Sequence, residues 1–210
     1  MSPPDVYLAS TSPRRRELLA QLGVDFALLS QAVAEQRRPG EEPAALAQRL
    51  ALEKARAGWQ SLAPFLRRPV LGADTLVEID GLVLGKPADA DEARAMLARL
   101  AGRRHRVLSA VALAGLAPAA TGNETAGYSV RAGEALRLSE STVSLRDITP
   151  AEAAAYWASG EPADKAGGYA IQGRGAVFVR HLSGSYSGVM GLPLFETAEL
   201  LRLAGINILE

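Results

Sequence analysis

Short apolar runs of strand length alternate with segments of helical period along nearly the whole chain, and no feature restricts the fold more. Val6–Ala9 reads as a buried strand. Ser12-Pro13 then opens a helix, because serine is a favoured N-cap and proline is tolerated at the first helical position. Leu18, Leu19 and Leu22 supply that helix with an apolar face and Gly23 ends it. Phe26–Leu29 reads as a second strand, residues 31–43 as a polar loop, and Ala44–Trp59 as a helix. Val70–Ile79 and Leu82–Leu84 form a hairpin through Asp80-Gly81, a pair suited to a tight primed turn. Asp89 with Glu92 starts a helix that runs to Leu100. Strands follow over 106–114 and 136–145, then a helix opened by Thr149-Pro150-Ala151-Glu152, a strand over 176–179 and a C-terminal helix over 194–203. The order has no internal repeat and no long linker. It predicts an α/β fold with a mixed, twisted sheet and flanking helices; the hairpin argues against a purely parallel one. Residues 116–133 hold most of the small and turn-forming residues and read as a surface insertion.

Composition removes several classes of function. There is no cysteine, which excludes disulfides, thiolate zinc sites and cysteine nucleophiles. With two histidines, His105 and His181, a histidine-rich metal site is not expected, and both read as structural. Any metal should be a hard cation such as Mg²⁺ or Mn²⁺ on carboxylate oxygens. Basic and acidic residues balance at 23 each, so no basic stripe recommends a nucleic-acid polymer as partner. No run reaches the ~20 apolar residues of a membrane helix, and no signal peptide is evident, so the expectation is a cytoplasmic protein away from membranes. Only three of the 23 basic residues are lysines: Lys54, Lys86 and Lys165. A chain that uses arginine almost everywhere else has reason to be read closely at its few compact ammonium groups.

Five constellations carry chemistry. Leu8-Ala9-Ser10-Thr11-Ser12-Pro13-Arg14-Arg15-Arg16 runs a strand into a helix N-terminus, where free amides favour an anion. Arginines there oppose the helix dipole by roughly 0.3–1 kcal/mol each, so a bound phosphate accounts for them better than a merely capped helix does. Gly72-Ala73-Asp74-Thr75 places a carboxylate on an apolar strand, costly unless paired or metal-bound, although taken alone it also reads as a turn cap. Gly85-Lys86-Pro87 follows the return strand of the hairpin and can bring Lys86 near Asp74. An acidic metal ligand beside a lysine suits a polyphosphate. The glycine-rich run from Asp164-Lys165 to Gln172-Gly173 allows close approach of backbone, and Gln172 offers both a donor and an acceptor to a base edge, although taken alone it reads as a flexible loop with a turn. Ser183–Ser187 with Gly191–Leu194 is the fifth.

Taken together, LASTSPRRRELL, GADT, GKP, DKAGGYAIQG and GSYSGVMGLPL, in that order, resemble the Maf family of nucleoside triphosphate pyrophosphatases from Leu8 to about Leu203. The resemblance implies one Maf-like domain over residues 1–210. Its fold would be related to inosine triphosphate pyrophosphatases, with two lobes around a deep cleft. The activity it implies is attack of water on the α-phosphorus of a nucleoside triphosphate with pyrophosphate leaving. It implies Asp74 as proton acceptor, Asp74 and Glu35 as carboxylates for a divalent cation, and Ser10, Arg15, Lys54 and Lys86 as triphosphate-binding residues. Arg14, Thr75 and Gln172 match positions tied to substrate choice, and the combination resembles the branch acting on dTTP and UTP. A branch acting on 7-methyl-GTP, or a nucleotide-binding regulator of cell division with little catalysis, are the alternative readings. A homodimer is compatible with the family.

Overall fold

The computed structural model of the chain describes residues 3–30, 32–117, 129–131 and 133–209. Strands β1 (Val6–Ala9), β2 (Phe26–Leu29), β3 (Val70–Ile79), β4 (Leu82–Leu84), β5 (Arg104–Ala114), β6 (Ser129–Arg131), β7 (Glu134–Leu145) and β8 (Val179–Ser183) build one eight-stranded sheet. Its spine runs β2-β1-β3-β5-β7-β6, with β4 on β3 and β8 on β7. β1 is parallel to both β2 and β3, and every other pairing is antiparallel, so the expected mixed sheet is present. The helices are α1 (Pro13–Gln21), α2 (Pro43–Ser61), α3 (Ala90–Leu100), α4 (Pro150–Ala158), α5 (Tyr186–Met190) and α6 (Leu194–Leu203).

Local chemistry explains several boundaries. Asp89 accepts a hydrogen bond from the Glu92 amide and starts α3, and Thr149 forms a full capping box with Glu152 at α4. Asp80 (φ 55°) and Gly81 (φ 77°) both take the left-handed conformation that the hairpin turn requires. The strand expected over 176–179 is displaced. Residues Arg174–Phe178 instead form a 3₁₀ turn, and β8 begins at Val179. The reason is tertiary: the amides of Arg174 and Gly175 bond to the Glu161 carboxylate, and Phe178 is buried against the Tyr156 ring at 5.2 Å. Within the expected insertion, residues 118–128 and 132 lie outside the described residues. Its C-terminal part is an edge strand, since 129–131 pairs antiparallel with 134–136. The amides of Gly115 and Leu116 close the base of that segment on Gly133 O.

One face of the sheet carries α2. Its buried residues Leu46, Ala47, Leu50, Ala51, Ala55 and Gly58 follow helical spacing, and Ala47, Ala51 and Ala55 lie on a floor of Leu108, Ala110, Ala112 and Ala114. The approach is close enough that a Cβ on Gly72 would stand 2.3 Å from Ala51 O. The other face holds two apolar clusters. Leu71, Ala73, Val111 and Leu113 pack with α1 and α6, while Val77, Ile79 and Val107 pack with α3 and α4. Fully burying each leucine here is worth about 1.5–3 kcal/mol. Between the clusters the same strands carry Thr75, Ser109 and Ser139, paired across β3, β5 and β7. A polar row therefore divides two apolar cores on one face.

His105 belongs to the second core. It is 3 % exposed, and Nε2 lies 2.7 Å from the Tyr169 hydroxyl. Burial lowers its pKa from 6.5 to about 4. The unfolded chain binds this proton near pH 6.5 and the folded one only near pH 4. Stability therefore falls as pH drops through that window, by up to roughly 3 kcal/mol, and is constant in this term above it. Thermal unfolding followed from pH 7 to pH 4 should show a flatter decline for His105→Gln than for the natural chain; equal slopes would exclude His105 as the source.

Candidate active site

The register of β3 opens the site. On one edge β3 pairs with β1 over residues 70–72 and with β4 over 77–79, while β5 occupies the other edge throughout. Between those two ladders, residues 73–76 face neither strand. The chain leaving β1 at its carboxyl end and the chain leaving β4 both border this gap, and ligands of parallel α/β sheets bind beyond such strand ends. A cavity of about 290 Å³ occupies it.

Its wall gathers residues far apart in sequence. Ser10, Arg14 and Arg15 come from the β1–α1 junction, Glu35 from the loop before α2, and Lys54 from α2. Thr75 comes from β3, Lys86 from the segment after β4, and Gln172 from the glycine-rich stretch. Of the site residues inferred from sequence, only Asp74 stands behind the wall rather than in it. It is 6 % exposed and reaches the cavity through Lys54, which the close seating of α2 on Gly72 brings over it.

Lys54 Nζ is 2.6 Å from Asp74 Oδ1 and 2.6 Å from Glu35 Oε1. Both Lys54 and Asp74 are mostly buried, at 12 % and 8 % side-chain exposure. A carboxylate so buried would cost several kcal/mol without a counter-charge. Asp74 Oδ2 has no hydrogen-bond partner among the described residues. Burial pushes the Glu35 carboxyl up, but the hydrogen bond and charge of Lys54, with Lys86 and Arg15, bring it below its usual range. Burial also lowers the Arg15 guanidinium pKa, against the opposing pull of Asp74 and Glu35.

Helix α1 begins at the cavity. Its N-cap Ser12 makes no side-chain cap bond, and Pro13 occupies the first turn. The Ser12 amide bonds instead to Ser10 Oγ at 3.2 Å, tightening the loop. An end without a side-chain cap suits an anion. Arg15 Nε donates to Gly191 O at 2.8 Å. Thr75 Oγ1 lies 2.7 Å from Ser109 Oγ, which donates to Gly188 O at 2.6 Å. These bonds pin the segment around α5 against the start of α1 and against β3 and β5.

Arg14 donates to Asp164 Oδ2 at 2.9 Å and to Asp164 O at 3.3 Å. Lys165 Nζ contacts Asp164 Oδ1 and donates to Glu161 O at 3.2 Å. Burial raises the Asp164 pKa, yet the bonds from Lys165 and Arg14 hold it near 2. Arg14, matched by resemblance to substrate choice, thus also ties α1 to the glycine-rich segment. Residue patterning marked Asp164 and Lys165 as the start of the glycine-rich run without giving either a separate role, and it did not mark Ser109. The adjacent Asp-Lys pair was a signal available for the first two; the place of Ser109 follows from register alone.

No group of three or more metal-ligating side chains occurs among the described residues. Glu35 and Asp74 nevertheless fit a hard divalent cation. Magnesium commonly takes one or two carboxylates and completes its shell with water and substrate phosphates. The partnerless Asp74 Oδ2 is an unused donor atom of the required kind.

A curated dTTP/UTP pyrophosphatase of Saccharophagus degradans is 54 % identical over 94 % of this chain and 87 % of its own length. Proteins of the same name from Alkalilimnicola ehrlichii and Methylococcus capsulatus are each 52 % identical, over 94 % and 96 % of this chain and 92 % of their own lengths. The Staphylococcus aureus Ham1 protein overlaps 69 % of this chain and 72 % of its own, at TM-score 0.37 and 14 % identity, a likeness too distant to bear on activity. The family profile described as Maf-like protein matches residues 5–204, and the chain belongs to that family.

Proposed function

We propose that this chain hydrolyses dTTP and UTP to the monophosphate and pyrophosphate. The observation that carries the reading is the convergence of Ser10, Arg15, Lys54 and Lys86 on one cavity, with the buried Asp74 carboxylate behind Lys54 and its Oδ2 without a partner among the described residues. The names of relatives at about half identity support the substrate class.

In this mechanism the amides at the start of α1, with Ser10, Arg15 and Lys86, bind the triphosphate. The Asp74 carboxylate takes a proton from a water that attacks the α-phosphorus. The new P–O bond forms as the α–β bridging bond breaks, and the electron pair leaves on pyrophosphate. Lys54 and Lys86 offset the charge that develops there. Glu35 and Asp74 would hold the divalent cation, Mg²⁺ or Mn²⁺, which supplies further charge neutralisation on phosphate oxygens when bound. Gln172 reads the pyrimidine edge, and Arg14 and Thr75 form part of the same wall.

Incubation with each nucleoside triphosphate and Mg²⁺ or Mn²⁺ tests the reading. Pyrophosphate should appear from dTTP and UTP. Orthophosphate as first product, or preference for 7-methyl-GTP, would overturn it. In the same panel Gln172→Glu should lower kcat/KM for dTTP and UTP about tenfold relative to GTP, since a carboxylate cannot donate to a base carbonyl. An unchanged ratio would remove Gln172 from base recognition.

A further inference from the structure

We propose that Glu161, acting with Tyr156, is a positioning residue that sets how the turn carrying Gln172 meets the nucleotide base; this rests on the functional reading above. Neither side chain is part of the cavity wall. Tyr156, on α4, is 5 % exposed and packs edge-on against Phe178. Its hydroxyl donates to Glu161 Oε1 at 2.7 Å and accepts from the Ala170 amide at 3.0 Å. The Glu161 carboxylate also accepts from the Gly175 amide at 3.0 Å, on Oε1, and from the Arg174 amide at 2.8 Å, on Oε2.

One carboxylate–phenol pair therefore holds residue 170 on one shoulder of the turn and residues 174 and 175 on the other. Gln172 lies midway. Two glycines make the approach possible. A Cβ on Gly173 would stand 2.4 Å from Glu161 Oε2, and one on Gly175 would stand 2.5 Å from the Tyr156 hydroxyl. Bonds from backbone amides to an ionised carboxylate are roughly twice as strong as neutral ones. Glutamine at 161 would keep the shape but turn an amide NH₂ toward one of those donors, so a bond is lost where two donors face each other.

Because, among the described residues, the hydrogen bonds of the two side chains run between them and to the amides of residues 170, 174 and 175, on the base side of the site, the loss of the pair should separate base binding from phosphate binding. Steady-state kinetics of Glu161→Gln with dTTP and UTP should show KM raised about tenfold and kcat within about twofold of the natural enzyme, as expected for binding lost equally from ground and transition states. Competitive inhibition by inorganic triphosphate, which has no base, should be unchanged, and preference over GTP should narrow. Tyr156→Phe removes one hydroxyl and should move the same quantities in the same direction by a smaller factor; it carries the test if Glu161→Gln does not fold. Unchanged KM and unchanged preference, with only a lower Tm or a smaller active fraction, would overturn the proposal and leave a purely structural buttress. A natural enzyme that releases no pyrophosphate from dTTP or UTP would overturn the functional reading itself, and this inference with it.

Discussion

Asp74→Asn is expected to lower kcat for dTTP hydrolysis by about 10²–10⁴-fold, the range over which a positioned general base contributes. The substitution is close to isosteric. Asparagine Oδ1 can still accept from Lys54, and the new amide group replaces Oδ2, an atom with no donor to clash against among the described residues. Lys54 also keeps Glu35 as a counter-charge. The Tm should therefore stay within a few degrees of the natural chain while turnover collapses. A pyrophosphate-release assay beside a thermal melt reads both quantities. Turnover near the natural rate would remove Asp74 as proton acceptor. A large drop in Tm would assign it to stability instead.

Lys54→Met should produce the largest loss of stability. Methionine replaces the aliphatic stem but leaves the Asp74 carboxylate, at 8 % exposure, without the ammonium that neutralises it. Removing one partner of a buried pair typically costs about 3–5 kcal/mol. For a chain of this length that corresponds to a fall in Tm of roughly 6–20 °C. Glu35 contributes little to the penalty because it is 59 % exposed and water can solvate it. The double variant Asp74→Asn/Lys54→Met should regain much of the loss, since no buried charge remains to be stranded. Equal Tm values for Lys54→Met and the natural chain would mean that the pair is solvated in solution. Activity of Lys54→Met should also fall by about 10²-fold, because an ammonium is missing where charge develops on the leaving group.

The parts of the fold that were legible are those written in local chemistry. Proline after Ser12, the Asp80-Gly81 turn, and the caps at Asp89 and Thr149 each fix a boundary within a few residues, and the structure keeps all of them. The 176–179 strand was misplaced because the local pattern of apolar residues could not include Glu161. That carboxylate, more than ten residues earlier, captures two amides and winds the segment into a 3₁₀ turn. The site residues were legible as motifs, but their relations were not. Arg14 appeared as one of three neighbouring arginines, and its partner Asp164 lies 150 residues away.

By itself the sequence determined most of the element order, the mixed sheet, the absence of thiol chemistry and the motifs whose side chains meet at the cavity. These follow from spacing, propensity and side-chain chemistry within windows of a dozen residues. Tertiary structure alone decided that β1 and β4 share an edge of β3 and leave a gap at 73–76, and that Thr75 meets Ser109 between two apolar cores. It also decided that one ammonium stands between Asp74 and Glu35. Register and helix seating are set by packing summed over the whole chain, and no local window contains that sum.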